Sequence, residues 1–195
     1  MPPGRPRVFD LEEALERALE VFWRKGYEGT SLQDLTEAMG INRPSLYAAF
    51  GNKEDLFRKA LDRYVEGPGS FVRESLCEPT ARAVVERLLN GAALMQTSPC
   101  RPHGCLVVQS ALVGGAAADP IRQELVSLRS AVETALRRRL ERASAEGDLP
   151  PDADPADLAR YVATITHGMA VQAAGGASLE ELQRVVLIAL RTWPS

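Results

Sequence analysis

Apolar residues recur at spacings of three and four along most of the chain, which is the period of amphipathic helices. In the first such segment, Asp10 and Glu13 form a capping-box pattern before the apolar series, and Gly26 provides a C-cap after it. No segment shows convincing alternation of apolar and polar residues, as a half-buried strand would. The chain is therefore predicted to be all-α. The apolar positions of the first helix are Leu11, Leu15, Ala18, Leu19 and Phe22.

The same start and stop signals predict about nine helices in all. Ser, Thr, Asn or Asp stands at most of the starts, twice followed directly by Pro, and Gly follows several of the ends. The break at Gly67-Pro68-Gly69 is the strongest in the chain and divides it into two predicted domains, residues 1–66 and 67–195. After the first helix, the predicted helices cover about residues 31–39, 43–50, 53 to the Gly67 break, 80–95, 104–113, 120–145, 155–174 and 178–190.

Two short helices, residues 31–39 and 43–50, are joined by a tight turn with Gly40, the spacing of a helix-turn-helix. In the second helix Leu46 and Phe50 are four apart and are predicted to face inward. Arg43, Ser45 and Tyr47 can then face outward, where an arginine can read guanine and hydroxyls can hold phosphate oxygens. The spacing alone fits equally well two surface helices of a bundle with solvated polar residues.

Composition excludes several classes of protein. The 195 residues include 23 Lys+Arg and 26 Asp+Glu, for a net charge of −3, and 45% are hydrophobic. Such a chain can bury a core and is not disordered. It has no apolar stretch of membrane-spanning length and no signal-peptide pattern, and its three cysteines do not fit a disulfide scaffold. A cytoplasmic protein is expected. The overall charge neither favours nor excludes nucleic-acid binding.

Residues 18–64 resemble the DNA-binding domain of the TetR family of bacterial transcriptional regulators. The match is contiguous and mixes core, turn and phosphate-contact positions, whereas the rest of the chain resembles the family only in helix number and length. One departure is Ala48-Ala49, where many members carry a larger aromatic residue or His. The matching positions are Phe22, Gly26, Tyr27, Thr30, Leu35, Gly40, Leu46, Tyr47, Phe50, Lys53, Leu56 and Phe57.

The resemblance implies a homodimeric repressor that binds a palindromic operator on double-stranded DNA and is released by a small molecule bound in the C-terminal domain. By position, Tyr47 and Lys53 match phosphate contacts of the family, and Thr30 matches a residue that caps the first short helix and contacts phosphate. The base-reading region would comprise Asn42, Arg43, Pro44 and Ser45.

The N-terminal tail offers a further candidate contact with DNA. Arg5 and Arg7 lie in an extended, positively charged Gly-Arg-Pro segment that could enter a minor groove. The alternative is a disordered terminus whose arginines only aid solubility.

The last two helices, residues 157–174 and 179–190, are the pair that forms the dimer in the family. The effector site is expected between residues 80 and 174, where small residues leave room for an apolar or aromatic molecule. Within it, His167 is either a polar group of the site or a satisfied core histidine. The predicted ligand-binding residues are Met95, Cys105, Tyr161, His167 and Met169.

The segment from Cys100 to Cys105 leaves three alternatives open. Cys105 is predicted in the first turn of a helix, whose dipole stabilises a thiolate, and its surroundings resemble family members that sense electrophiles or oxidants. Cys100, His103 and Cys105 could bind a metal, but their spacing matches no standard zinc motif. A thiol enzyme lacks an identifiable acid to orient the histidine. No enzyme activity, cofactor or metal is therefore expected, and a helical adaptor without DNA binding is the remaining alternative.

Overall fold

The computed structural model describes residues 9–112 and 119–194, and all regular structure in these two ranges is helical. Arg5 and Arg7 lie outside the described residues. Nine of the ten helices correspond to predicted segments, and the additional one is the single turn α5. The helices are α1 (Leu11–Lys25), α2 (Leu32–Met39), α3 (Arg43–Phe50), α4 (Lys53–Glu66), α5 (Phe71–Ser75), α6 (Ala81–Gln96), α7 (Leu106–Leu112), α8 (Asp119–Ala145), α9 (Pro155–Ala174) and α10 (Leu179–Arg191).

Side-chain caps fix most of the helix starts. Asp10, before α1, accepts hydrogen bonds from the backbone N–H groups of Glu12 and Glu13. Reciprocal capping boxes open three other helices, α2, α4 and α10, with Ser31, Asn52 and Ser178 as their N-caps. These local bonds satisfy amides that would otherwise lack partners, which explains why the helix starts could be predicted from sequence.

The first core joins the N-terminal helices through aromatic contacts between α1 and α4. The rings of Phe22 and Phe57 meet edge to face with centroids 5.0 Å apart, and Trp23 meets Tyr64 in the same way at 4.8 Å. Residues of α7 and α8 complete this core, because Leu106 and Leu125 are fully buried in it. The core under the helix-turn-helix is therefore shared with helices from the C-terminal part of the chain.

Hydrogen bonds and ion pairs also connect these two parts. Trp23 Nε1 donates to the carbonyl oxygen of Gly104 at 3.3 Å, just before α7. On α4, the guanidinium of Arg58 pairs with the Glu124 carboxylate of α8 at 2.7 Å. Movement of α1 and α4 relative to α7 and α8 would therefore disturb both contacts.

A second core lies among α6, the C-terminal half of α8, α9 and α10. It divides the apolar residues of the last helix, because Leu182, Val186 and Leu190 are buried while Val185 and Ile188 stay exposed. In the described part of the chain, no helix has the length and apolar character needed to cross a membrane.

Candidate nucleic-acid interface and effector cavity

The helix-turn-helix is held by a short apolar contact between α2 and α3. Leu35 and Met39 of α2 and Leu46 and Phe50 of α3 are all buried. The turn between the helices needs Gly40, whose φ of 67° lies in the left-handed region where a side chain is disfavoured. With Leu46 and Phe50 facing inward as predicted, the opposite face of α3 is open to a partner.

That open face begins with Arg43 and Pro44 and continues one turn later with Tyr47, which is 49% exposed. Arg43 makes no hydrogen bond or ion pair with any described residue, so its guanidinium can reach a ligand without breaking a contact. Ala48 is also exposed and, as a small side chain, adds no polar group. The polar groups at the start of α3 are therefore the main candidates for contacts with base edges.

Asn42 has a structural role at the start of α3. Its side-chain oxygen accepts the backbone N–H of Ser45 at 2.9 Å, which caps the helix. The NH₂ of the same amide remains available for a phosphate or a base. Ser45 lies in the first turn and is only partly exposed, so it offers less surface than Arg43.

Lys53 is the first residue of α4, directly after its N-cap Asn52. Its ammonium lies over the ring of Tyr27, 4.4 Å from the centroid, and partial burial lowers the pKa of the lysine below its ordinary value. The aromatic ring orients the cation, and the helix N-terminus beside it favours an anion. This arrangement fits a phosphate contact.

Thr30 differs from the prediction. It is 1% exposed, and its hydroxyl donates to the Gly26 carbonyl oxygen at 2.6 Å, while Ser31 rather than Thr30 caps α2. This hydrogen bond closes the loop after α1. Because Thr30 is buried, it is not part of the surface that could meet DNA.

An ion pair that sequence reasoning missed fixes α2 against α1. The Lys25 ammonium contacts Asp34 at 2.5 Å, and this contact, together with hydrogen bonds from Ser31, lowers the pKa of Asp34 to about 2. The same carboxylate closes the capping box with Ser31, and nothing in the sequence indicated that Lys25 would reach it.

A cavity lies beside the C-terminal end of α4, which contributes Tyr64 and Val65 to its lining. Its volume of about 360 Å³ is within the range of small-molecule sites. Six helices contribute side chains to it, from α4 to α9, and most of them are apolar. The apolar lining includes Val65, Phe71, Val72, Leu76, Met95, Val107, Val108, Leu128, Val132 and Ala135.

Of the predicted ligand-binding residues, Met95, Cys105 and His167 line this cavity. Tyr161 and Met169 do not. Tyr161 lies on the outer side of α9, with its hydroxyl 3.1 Å from that of Thr192, and Met169 is 2% exposed inside the second core. Both residues lie on α9, which does contribute to the cavity, but the rotation of this helix turns their side chains away from it.

Cys105 precedes α7 at its N-cap position instead of lying in the first turn, because its carbonyl accepts the first helical hydrogen bond from Gln109. Its sulfur accepts a hydrogen bond from the Tyr64 hydroxyl at 3.2 Å. Burial, followed by the interaction with Cys105, raises the pKa of Tyr64 well above its ordinary value, so the phenol stays protonated. Tyr64 is on α4, and it therefore connects the cavity to the helix-turn-helix domain.

Two further polar side chains meet the cavity. Burial, with a smaller effect from the positive charge of Arg129, lowers the pKa of His167, so its imidazole is neutral at pH 7. Gln96 is 1% exposed; its amide nitrogen donates to the Thr166 carbonyl at 3.2 Å, and its side-chain oxygen has no partner. The sequence did not indicate Gln96 or Arg129 as site residues.

An exposed apolar surface lies on α9 and α10. Ile188 is 61% exposed and Val185, three residues earlier, lies on the same side of α10. On α9, Val171 is exposed, and a Cβ built at the exposed Gly168 would meet no atom within 4 Å. Small and apolar side chains on two neighbouring helices permit close approach of another helix pair.

Two family models match the chain. Residues 14–60 match the model "Bacterial regulatory proteins, tetR family", and residues 79–186 match "Tetracyclin repressor-like, C-terminal domain". The first match contains the helix-turn-helix, and the second spans α6 to α9 and part of α10.

Similar proteins are transcriptional regulators by name. The HTH-type transcriptional repressor ComR of Escherichia coli is 37% identical over 98% of this chain and 92% of its own. The repressor BdcR of the same species is 32% identical over 92% of this chain and 87% of its own. A cysteine mutant of the TetR family regulator CifR, solved with a 26-base-pair operator DNA, superposes with a TM-score of 0.92 at 46% identity, covering 97% of this chain and all of that one.

Proposed function

Because the chain belongs to the TetR family of bacterial regulatory proteins, we propose that it is a transcriptional repressor that binds a palindromic operator as a homodimer. A small molecule bound in the cavity that Tyr64 and Val65 of α4 help to line releases the repressor from DNA. The observation that carries the proposal is the solvent-exposed face of α3, where Arg43 and Tyr47 are free while Leu46 and Phe50 anchor the helix.

In this proposal α3 lies in the major groove, where Arg43 donates two hydrogen bonds to a guanine and sets base preference. Asn42, Pro44 and Ser45 complete the base-facing start of the helix. Tyr47 and Lys53 hold the phosphates on either side and contribute affinity without sequence preference. The exposure of Tyr47 and the fixed position of the Lys53 ammonium over Tyr27 support these roles.

The dimer forms through α9 and α10. The exposed apolar side chains of both helices, Ile188 above all, support this interface, because they would be shielded from water in a four-helix arrangement with a second copy. One helix-turn-helix per subunit then meets each half of a two-fold symmetric operator. Residues 1–66 act as the DNA-binding domain and residues 67–195 as the effector and dimer domain.

The effector acts through α4. Tyr64 lines the cavity and belongs to the helix that begins with Lys53, so a ligand that pushes Tyr64, and α4 with it, away from Cys105 also moves the phosphate contact. The Arg58–Glu124 ion pair joins α4 to α8 at a second point and transmits the same displacement. Differential affinity of the effector for the two positions of α4 would supply the free energy of release.

Binding to the DNA upstream of the protein's own gene tests the proposal. The full chain is titrated onto this DNA, with random DNA as competitor, at several salt concentrations. We expect two subunits to bind a short palindrome, with an affinity that falls steeply as salt rises. If the protein does not prefer the upstream DNA to random DNA, genomic fragments are screened for binding in the same way. If no fragment is preferred to random DNA either, the proposed repressor function is wrong.

A further inference from the structure

Among the described residues, the charged side chains that line the effector cavity are all positive. Arg73 and Arg129 are among its lining residues, and none of the described lining residues is Asp or Glu; Glu133, whose charge also acts on His167, lies outside the lining. Of the other ionisable side chains that reach it, burial keeps Tyr64 and His167 neutral. A positively charged, largely apolar site favours a molecule that is itself apolar but carries a negative group.

Arg129 is the cation best placed to bind that group. It is partly buried on α8, and no described carboxylate lies within ion-pair distance of it. The acid one turn further along α8, Glu133, is paired instead with Arg160 of α9 at 3.2 Å. A guanidinium that is partly withdrawn from water without a partner loses part of its solvation, and a carboxylate supplied by a ligand would replace the lost interactions.

The groups beside Arg129 fit the same type of ligand. His167 lies close enough to be affected by the charge of Arg129 and, to a smaller extent and in the opposite direction, by that of Glu133. A neutral imidazole can donate one ring N–H to a carboxylate oxygen. Phe71, Leu128 and Val132 provide apolar walls for the remainder of the molecule. The cavity thus combines one polar end with a mainly apolar volume.

We propose that the effector is an apolar carboxylic acid whose carboxylate pairs with Arg129 while its hydrocarbon or aromatic body fills the cavity. This inference rests on the proposed function only in naming the ligand an effector. The planar fork of an arginine matches the two oxygens of a carboxylate, which explains the preference for this anion over a point-like one. The unpaired oxygen of Gln96 provides an acceptor for a hydroxyl or N–H on the body of the acid.

The experiment compares acids with alcohols of matched shape, by calorimetric titration of the full-length protein without DNA at pH 7. The probes are 3-phenylpropionate against 3-phenylpropanol and octanoate against 1-octanol. We expect at least one acid to bind tenfold or more tightly than its alcohol. In Arg129→Gln this ratio should fall to about one, with the alcohol affinity unchanged.

Arg138→Gln is the matched control, because Arg138 is an exposed arginine on the same helix and does not line the cavity. It should keep the wild-type ratio. If Arg129→Gln does not fold, Arg129→Lys retains a charge but loses the fork, and it should bind the acid with a reduced ratio. Equal binding of acid and alcohol by the wild-type protein, binding of neither, or an unchanged ratio in the Arg129 variant would overturn the inference.

Operator release is measured separately with the same probes. Acids that bind through Arg129 but leave the protein on DNA would uphold the ligand class and contradict the proposed effector mechanism. Release of the operator by neutral molecules alone would support the proposed effector mechanism and contradict the ligand class.

Discussion

Replacing Arg43 with alanine separates DNA recognition from folding more sharply than any other single change in α3. Arg43 is exposed at the first position of the helix and has no partner among the described residues. The first turn of α3 contains no acidic residue, so the positive charge of Arg43 faces the positive end of the helix dipole unopposed. The side chain therefore contributes nothing favourable to the folded protein that alanine would remove.

Arg43→Ala should weaken operator binding without lowering the free energy of unfolding. Removing a cation from a helix N-terminus is worth about 0.3–1 kcal/mol, so the free energy of unfolding should stay constant or rise by up to about 1 kcal/mol. A bidentate contact with guanine contributes about 1–3 kcal/mol, and a homodimer loses it twice. Operator binding should then weaken by about 2–6 kcal/mol, or roughly 30-fold to 10⁴-fold.

The assay measures affinity for the operator and for random DNA at the same salt concentration, together with chemical unfolding of both proteins. Arg142→Ala is the control, because it removes the same charge from an exposed position on α8. We expect Arg43→Ala to lose most of the difference between operator and random DNA, and Arg142→Ala to keep it. A guanine replaced in both half-sites should cost the wild-type protein affinity and leave Arg43→Ala unaffected.

Two results would contradict the prediction for Arg43→Ala. Equal losses on operator and random DNA would mean that Arg43 contacts phosphate and does not read a base. A fall in the free energy of unfolding as large as the fall in binding would mean that α3 depends on Arg43 for its structure.

Four other changes test separate parts of the protein. Lys53→Ala should weaken binding to all DNA sequences and reduce the slope of log affinity against log salt by about 2 per dimer, as titrations over several salt concentrations can show; an unchanged slope would exclude a phosphate contact. Leu46→Ala should destabilise the protein by about 2–5 kcal/mol in urea unfolding, because this side chain is fully buried between α2 and α3. Ile188→Glu should shift the protein to monomers in sedimentation measurements, whereas a dimer that survives would place the interface elsewhere. His167 has a lowered pKa in the folded protein, so the unfolded chain binds more protons and stability should fall as the pH drops below about 6.5; His167→Gln should reduce this fall in unfolding curves measured from pH 7.5 to 5.

The DNA-binding face illustrates how far local sequence reasoning reaches. The inward positions of Leu46 and Phe50 and the outward position of Tyr47 follow from helical spacing, and the structure confirms them. The prediction for Thr30 is wrong because two adjacent residues, Thr30 and Ser31, are both good N-caps. Only the packing of the loop after α1 decides that Ser31 caps α2 and that Thr30 bonds Gly26.

The sequence alone determined nine of the ten described helices, most of their caps and the helix-turn-helix, since each of these depends on side chains and amides within about four residues of one another. The cavity depended on the tertiary structure. Its bond between Tyr64 and Cys105 joins residues 41 positions apart, and Arg129 has no ion-pair partner among the described residues while Glu133, one turn along, pairs with Arg160 of another helix. Helical periodicity gives the face of each helix but not the rotation and distance at which helices pack, so the lining of a cavity between six helices is decided by the packing.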